Sequence, residues 1–302
     1  GREERVAKTA MRLGLCLAEY LDWRRYFDDG ITVFRAAREA AHRIGDREGE
    51  AAAWGNLGVA LREAERVEEA IQAHTRARDL HQAAGDREGE AMAWGNLGVA
   101  LWQAGRVEEA IDALTRVRDL FHAAGDRHRE AMAWGNLGVV LGQAGRVEEA
   151  IDALTRARDL FHAAGDRHGV AVAWNNLGIP LREAGRVEEA IEAHGKALEV
   201  CQEFEDWHRV GQALHNLAIA HTFADRPAEA RAHYLRAADA YTRADAPTEA
   251  AEARARAAEL EARPPTAPAP TDTPAQAAPP ARTAAGARPV PTPPGVPDTA
   301  GQ

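Results

Sequence analysis

The chain has 302 residues, 45% hydrophobic and 28% charged, with a formal net charge of -10. No uncharged apolar run approaches the ~20 residues of a membrane-spanning helix, and a pI of ≈ 5.7 is the wrong sign for a surface that grips nucleic-acid phosphates. Two cysteines, Cys16 and Cys201, are too few and too far apart for a disulfide framework or a zinc site, so a reducing, cytoplasmic setting is expected.

Read from the N-terminus, the stretch up to Tyr20 holds one short apolar run broken by Arg12, too brief for a secretory signal. Gly1 in place of an initiating Met is what a fragment or a processed chain would show. From residue 7 the chain repeats itself at a shift of 40, in units 7–46, 47–86, 87–126, 127–166, 167–206 and 207–246. Units 87–126 and 127–166 differ only at Glu88/His128, Gly89/Arg129, Ala100/Val140, Trp102/Gly142 and Val117/Ala157; the end units diverge most. Degenerate ends are what capping of a stacked array requires.

Each unit predicts two helices. In the third, Met92, Trp94, Leu97, Gly98 and Leu101 recur at three- and four-residue spacing, and Val107, Ala110, Ile111, Leu114 and Val117 do so again. Gly105 between them suits the left-handed residue that ends a helix. Glu108 and Glu109 fall in the first turn of the second helix, favourable against its dipole. The Glu-Glu and Arg-Asp positions of the second helices read as a solvated outer face. Gly125-Asp126 stops one helix and caps the next, as do the Gly-Asp pairs at 45–46, 85–86 and 165–166. Pro180 stands where other units carry Ala60, Ala100 and Val140; it removes one helical hydrogen bond and is expected to kink its helix. Pro227 and Pro247 sit where a first turn tolerates proline.

Residues 247–262 read as a lone amphipathic helix that closes the array. The tail, 263–302, holds 12 of the 15 prolines and only Val290 and Val296 as larger aliphatics, so burial cannot offset its ordering entropy and disorder is expected. Its Arg288-x-x-Pro291-x-x-Pro294 has the form of a polyproline-groove ligand, but in so proline-rich a segment a linker is the plainer reading.

The pattern Trp54-x2-Leu57-Gly58-x2-Leu61, followed by Ala70-x3-His74-x2-Ala77, resembles the tetratricopeptide repeat. It returns as Trp94/Leu97/Gly98/Leu101/Ala110/Leu114, as Trp134/Leu137/Gly138/Leu141/Ala150/Leu154 and as Trp174/Leu177/Gly178/Leu181/Ala190/His194. The resemblance implies an all-α, right-handed superhelical solenoid over 1–262: six helix-turn-helix repeats and a C-terminal capping helix. Two departures stand out, the missing proline near each unit's end and a period of 40 instead of 34. In its longer unit the chain is similar to kinesin light chains and cortical spindle-orientation adaptors. The wording GDR-x-x-EA…WGNLG…AGR-x-EEAI is also similar to the C-terminal arrays of bacterial signal-transduction ATPases with numerous domains (STAND).

No catalytic motif is present: there is no phosphate-binding G-x-x-x-x-G-K-[ST] loop, no G-x-G-x-x-G after a strand, no H-E-x-x-H and no C-x-x-C. Gly195-Lys196 lies inside a predicted helix. Neither enzyme activity nor a cofactor is expected. His128, His168 and His208 recur one unit apart, as do His122 and His162. Packed helix axes stay ~8–10 Å apart, so converging rings on one metal ion would be strained, and a solvent-exposed titrating surface is the expected role.

The candidate site is an asparagine ladder, Asn56, Asn96, Asn136, Asn176 and Asn216. Each precedes a packed leucine and should point away from the intra-repeat core, toward the inner surface of a superhelix. An amide carries donors and an acceptor, so it can pair with the backbone of an extended peptide. In the long-repeat adaptors that the chain resembles, asparagines at the matching place hold a peptide's backbone. Met92, Met132, Val59, Val99, Val139, Ile179, Arg62, Trp102, Arg182 and Gln212 should share that face. The competing reading is that each amide bonds the neighbouring helix and orders the stack. Trp102 replaces Arg62, Gly142, Arg182 and Thr222 of other units, so no shared packing rule demands it, and an exposed indole is a common hot spot.

The expected function is non-catalytic: a concave groove binding a protein or peptide ligand, extended or helical, with no direct nucleic-acid or membrane contact and with the outer face inert. The alternative is the ligand-sensing arm of a signal-transduction ATPase or transcription regulator whose catalytic module lies upstream of Gly1. A third reading is an enzyme built on repeats, such as an aspartyl-phosphate phosphatase.

Overall fold

The computed structural model describes residues 2–17, 20 and 24–262. The proline-rich tail and its Arg288-x-x-Pro291-x-x-Pro294 motif lie outside the described residues. Thirteen helices are found among the described residues. They are α1 (Arg2–Cys16), α2 (Phe27–Ile44), α3 (Arg47–Glu63), α4 (Val67–Ala84), α5 (Arg87–Gln103), α6 (Val107–Ala124) and α7 (Arg127–Gln143), then α8 (Val147–Ala163), α9 (Arg167–Glu183), α10 (Val187–Glu203), α11 (Trp207–Phe223), α12 (Pro227–Arg243) and α13 (Pro247–Ala262). Helices pair as α1/α2 through α11/α12, and α13 covers the exposed side of the last pair. The first helix begins at Arg2, ahead of the first unit's boundary at residue 7.

Capping follows the sequence signals. Asp46, Asp86, Asp126, Asp166 and Asp206 each accept a hydrogen bond from the backbone N–H three residues on, at 2.9–3.1 Å. This satisfies one of the orphan donors of the helix start. Pro227 and Pro247 open α12 and α13. Helix α9 runs from Arg167 through a buried Pro180 to Glu183, the same 17 residues as its counterparts α3, α5 and α7. The proline therefore does not end the helix.

The turn inside each unit needs a positive φ. Gly105, Gly145 and Gly185 supply it at 73, 75 and 76°, whereas Glu65 is forced to 60° and Asp225 to 55° at the same place. A Cβ in that region costs about 1–2 kcal/mol. Glu65 is exposed, and its side chain makes no hydrogen bond or ion pair among the described residues. Glu65→Gly should therefore raise unfolding stability by about 1 kcal/mol, part of the relief being offset by a freer unfolded chain. Urea titration checks this; an unchanged or lower midpoint would mean that Glu65 is not strained.

Leu57/Leu61, Leu97/Leu101 and Leu137/Leu141 share one core with Ile71 and Ile111, and Ile151 packs with Leu177 and Leu181 of the next unit, so the core runs on across unit boundaries. The helices meet where glycine faces the second helix. A Cβ on Gly138 would lie 2.6 Å from Leu154 Cγ and 3.3 Å from the Ala150 carbonyl oxygen. Between units, Arg38, Arg78, Arg118 and Arg158 lay their guanidinium groups over Trp54, Trp94, Trp134 and Trp174 of the next unit, at 5.0, 4.5, 4.7 and 4.6 Å from the ring centroid. The Arg-Asp positions expected to be merely solvated thus belong to the seam, where the cation gains from the indole face and its stem covers apolar surface.

Candidate binding groove

First helices touch the first helix of the next unit in four places, α1 with α3, α3 with α5, α7 with α9 and α9 with α11, while successive second helices have no comparable contact. A stack closer on one side than the other is curved, so the first helices line its inner face and the second helices fan across the outer one. On α5, Met92, Asn96, Val99 and Trp102 follow the three- and four-residue spacing that makes one stripe. Eleven large apolar side chains are exposed among the described residues. Six of them, Met92, Trp102, Met132, Val139, Ile179 and Phe223, come from the first helices along this face. Met92 is 61% exposed and Met132 50%. Singly scattered apolar residues mean little, but a row of them on one face marks a candidate interaction surface.

Between α3 and α5 the face deepens into a cleft of ≈ 400 Å³ that brings together Asn56, Val59, Met92 and Asn96, with His81 and Asp86 also on its wall. The Asp86 carboxyl is held below its usual range, chiefly by the Gly89 backbone N–H and then by His81, whose Nδ1 lies 2.8 Å away. The other predicted residues follow at one-unit intervals along the first helices. Among the described residues, the amides of Asn56, Asn96, Asn136 and Asn176 make no hydrogen bond. Asn216 differs: its Nδ2 donates to Asn175 Oδ1 at 3.1 Å, so this one amide orders the stack.

Arg62 and Arg182 are less free than the ladder. Arg62 pairs with Glu63 at 2.7 Å, and Arg182 lies over the Phe223 ring at 4.7 Å. Both arginines also act on a buried histidine in the following helix. His74 and His194 are each pushed down to about 4, first by burial and then by the Arg62 or Arg182 cation. They replace Leu114 and Leu154 of the central units and face Gly58 and Gly178. His194 Nδ1 donates to Asn175 Oδ1 at 3.1 Å, whereas both ring nitrogens of His74 are buried without a partner. His74 and His194 were visible in the sequence only as packing positions of the repeat pattern, and Asn175 was not singled out. Their signal was visible as Trp174-Asn175-Asn176 in place of the usual Trp-Gly-Asn, in the unit where His194 replaces leucine.

Among the described residues, the recurring histidines do not converge. His128, His168 and His208 instead stand edge-on to Phe161, Phe204 and Tyr241 at 5.5, 6.0 and 5.8 Å between ring centroids. Among the described residues, no helix is long and apolar enough to cross a membrane.

Stacked helix pairs of 40 residues, with an inner face of free amides and exposed apolar groups, define a helical repeat scaffold. Two tetratricopeptide repeat profiles match the chain, one over residues 89–163 and 169–243 and the other over 19–83; the chain belongs to the tetratricopeptide repeat family. No curated protein sequence matches it. Among solved structures it is similar to aspartyl phosphate phosphatase F from Bacillus subtilis, with a TM-score of 0.65, 13% identity and coverage of 86% of this chain and 72% of that one. It is also similar to a STAND protein with a tetratricopeptide repeat sensor from Pyrococcus horikoshii, with a TM-score of 0.65, 15% identity and coverage of 85% and 44%. A putative kinesin light chain with nearly identical repeats from Podosopora anserina gives a TM-score of 0.59, 14% identity and coverage of 68% and 99%. Identities this low speak for the fold alone.

Proposed function

We propose that the inner face is a non-catalytic binding groove for an extended peptide or a partner helix. The observation that carries this reading is the pairing of four unengaged asparagine amides with a row of exposed apolar side chains on one face. Amides at a fixed repeat can hold a ligand's backbone, and Met92, Met132 and Trp102 supply the apolar contact that makes binding worthwhile. Methionine adapts its shape to a partner, which suits a groove that reads a backbone more than a sequence.

The test is a ligand recovered by affinity capture from the native cell and then titrated against variants. Asn96→Ala/Asn136→Ala should weaken binding by about 1–3 kcal/mol, at about 0.5–1.5 per lost hydrogen bond. Folding should be unchanged, because those amides have no partner to lose. The outer control Glu108→Ala/Glu109→Ala should bind as wild type. Loss in the control alone would sink the groove assignment, and unfolding of the asparagine pair would return the ladder to a structural role.

A second reading, that the array is the sensing arm of a signal-transduction ATPase, draws on the likeness to the Pyrococcus horikoshii protein, 44% of whose chain is matched. An encoded phosphate-binding loop upstream would favour it, and an immediate start codon would remove it.

A further inference from the structure

On the outer side, the first three seams between units each open a cleft that includes the same eight positions. The first is lined by Arg35, Arg38, Trp54, Leu57, Leu61, Glu69, Gln72 and Arg76, and has a volume of ≈ 420 Å³. The next two clefts, of ≈ 570 and 590 Å³, carry the same residues in register with two exceptions. Arg35 is Thr75 and then Thr115, and Gln72 is Asp112 and then Asp152. At these positions the later clefts balance two arginines against two acids. The first holds three arginines against Glu69 alone.

That acid is already engaged. Arg66 grips Glu69 through two hydrogen bonds of 2.7 Å, and Arg35 reaches it at 3.3 Å. Arg76 has no ion pair among the described residues. Arg38 is the more telling group. Its counterparts Arg78, Arg118 and Arg158 donate Nε to the following aspartate at 2.9–3.0 Å. At Arg38 the following residue is Glu39, which takes only Nη2, and Nε is left buried without a partner. A buried charged donor without an acceptor is costly and is normally satisfied.

We propose that this outer cleft between α2 and α4, floored by α3, binds carboxylate groups carried on an acidic segment of a partner protein. The net charge of -10 makes a local excess of cations unusual on this molecule. The cations come from two walls, Arg35 and Arg38 on α2 and Arg76 on α4, so the fitting occupant carries several anionic groups. The cleft is also far larger than one small ion, at roughly 30 Å³ per water-sized group. Guanidinium suits carboxylate because its planar fork presents paired donors. This departs from the expectation that the outer face is inert, and it does not depend on the inner groove.

The test is calorimetric titration of the whole chain with a hexaglutamate peptide and, separately, with inorganic phosphate. Wild type should bind one hexaglutamate, with affinity that falls as salt rises. Arg35→Thr/Gln72→Asp should weaken binding at least tenfold while folding normally, because it reproduces the residues of the neighbouring clefts. The converse Thr115→Arg/Asp152→Gln should raise the stoichiometry to two. Asn96→Ala/Asn136→Ala should leave hexaglutamate binding unchanged, so the inner groove and this cleft stand or fall separately. Equal binding by the Arg35/Gln72 variant, or no binding by wild type, would overturn the proposal. Phosphate displacing the peptide at equal concentration would also overturn it, by reassigning the cleft to a free anion.

Discussion

Taking the chain from pH 7 to pH 4 should cost about 3 kcal/mol of stability for each of two buried histidines, His74 and His194. Both are essentially inaccessible, at 0% and 1% exposure, and both are pushed from 6.5 down to about 4. Their folded form is neutral, so between these values the unfolded chain binds a proton that the folded chain refuses. Stability is therefore fully present above about pH 6.5, falls as pH drops toward 4, and levels off below. His215, His221 and His233 are also lowered by burial and add loss of the same sign. His74→Leu/His194→Leu isolates the two, since leucine occupies that place in the central units. Urea unfolding at pH 7, 5.5 and 4 should show a shallower decline in the variant, and a gain at neutral pH is expected at position 74, where no hydrogen bond is lost. Parallel declines in variant and wild type would show that the two rings are protonated in the folded chain.

Leu154→Ala should cost about 2–5 kcal/mol and erase the most protected part of the molecule. Leu154 is 1% exposed; it meets Gly138 inside its own unit and belongs to the cluster of Leu177, Leu181 and Ala190 from the next. Its removal opens a cavity at a seam, so one substitution weakens both an intrinsic and a nearest-neighbour contribution. In wild type, amide exchange should be slowest from 90 to 170, where units have neighbours on both sides and the fullest Trp/Leu/Gly/Leu set. In Leu154→Ala that stretch should exchange like the ends. Slow exchange persisting there, or residing at a terminus in wild type, would contradict a stability distributed by unit.

The fold was legible because its signals repeat. Gly-Asp pairs, leucines at helical spacing and the turn glycines each recur in one register, and the helices start and stop where these residues say. The asparagine ladder stood out as a pattern for the same reason, a residue recurring just before a packed leucine, although Asn216 bonds within the stack. What escaped depends on contacts across unit boundaries. An arginine sixteen residues before a tryptophan is visible in the sequence, yet only packing brings its guanidinium over that ring. His74 and His194 stood in the repeat pattern with nothing to mark them as the least accessible histidines, a burial that comes from the glycine each ring faces on the neighbouring helix. The cationic cleft hides in eight positions drawn from three helices, and only comparing the clefts in register brings out its two decisive exchanges.

The arginine–tryptophan seams carry one more implication. Arg78 meets Trp94 as Arg118 meets Trp134, at 4.5 and 4.7 Å, so the two joints are interchangeable. Loss of forty residues between them would bring Arg78 to Trp134 with the same chemistry, and insertion of a further copy would add one more joint of the same kind. Recombination between near-identical segments would lengthen or shorten the array, and with it the inner face, by one copy at a time without a new kind of contact.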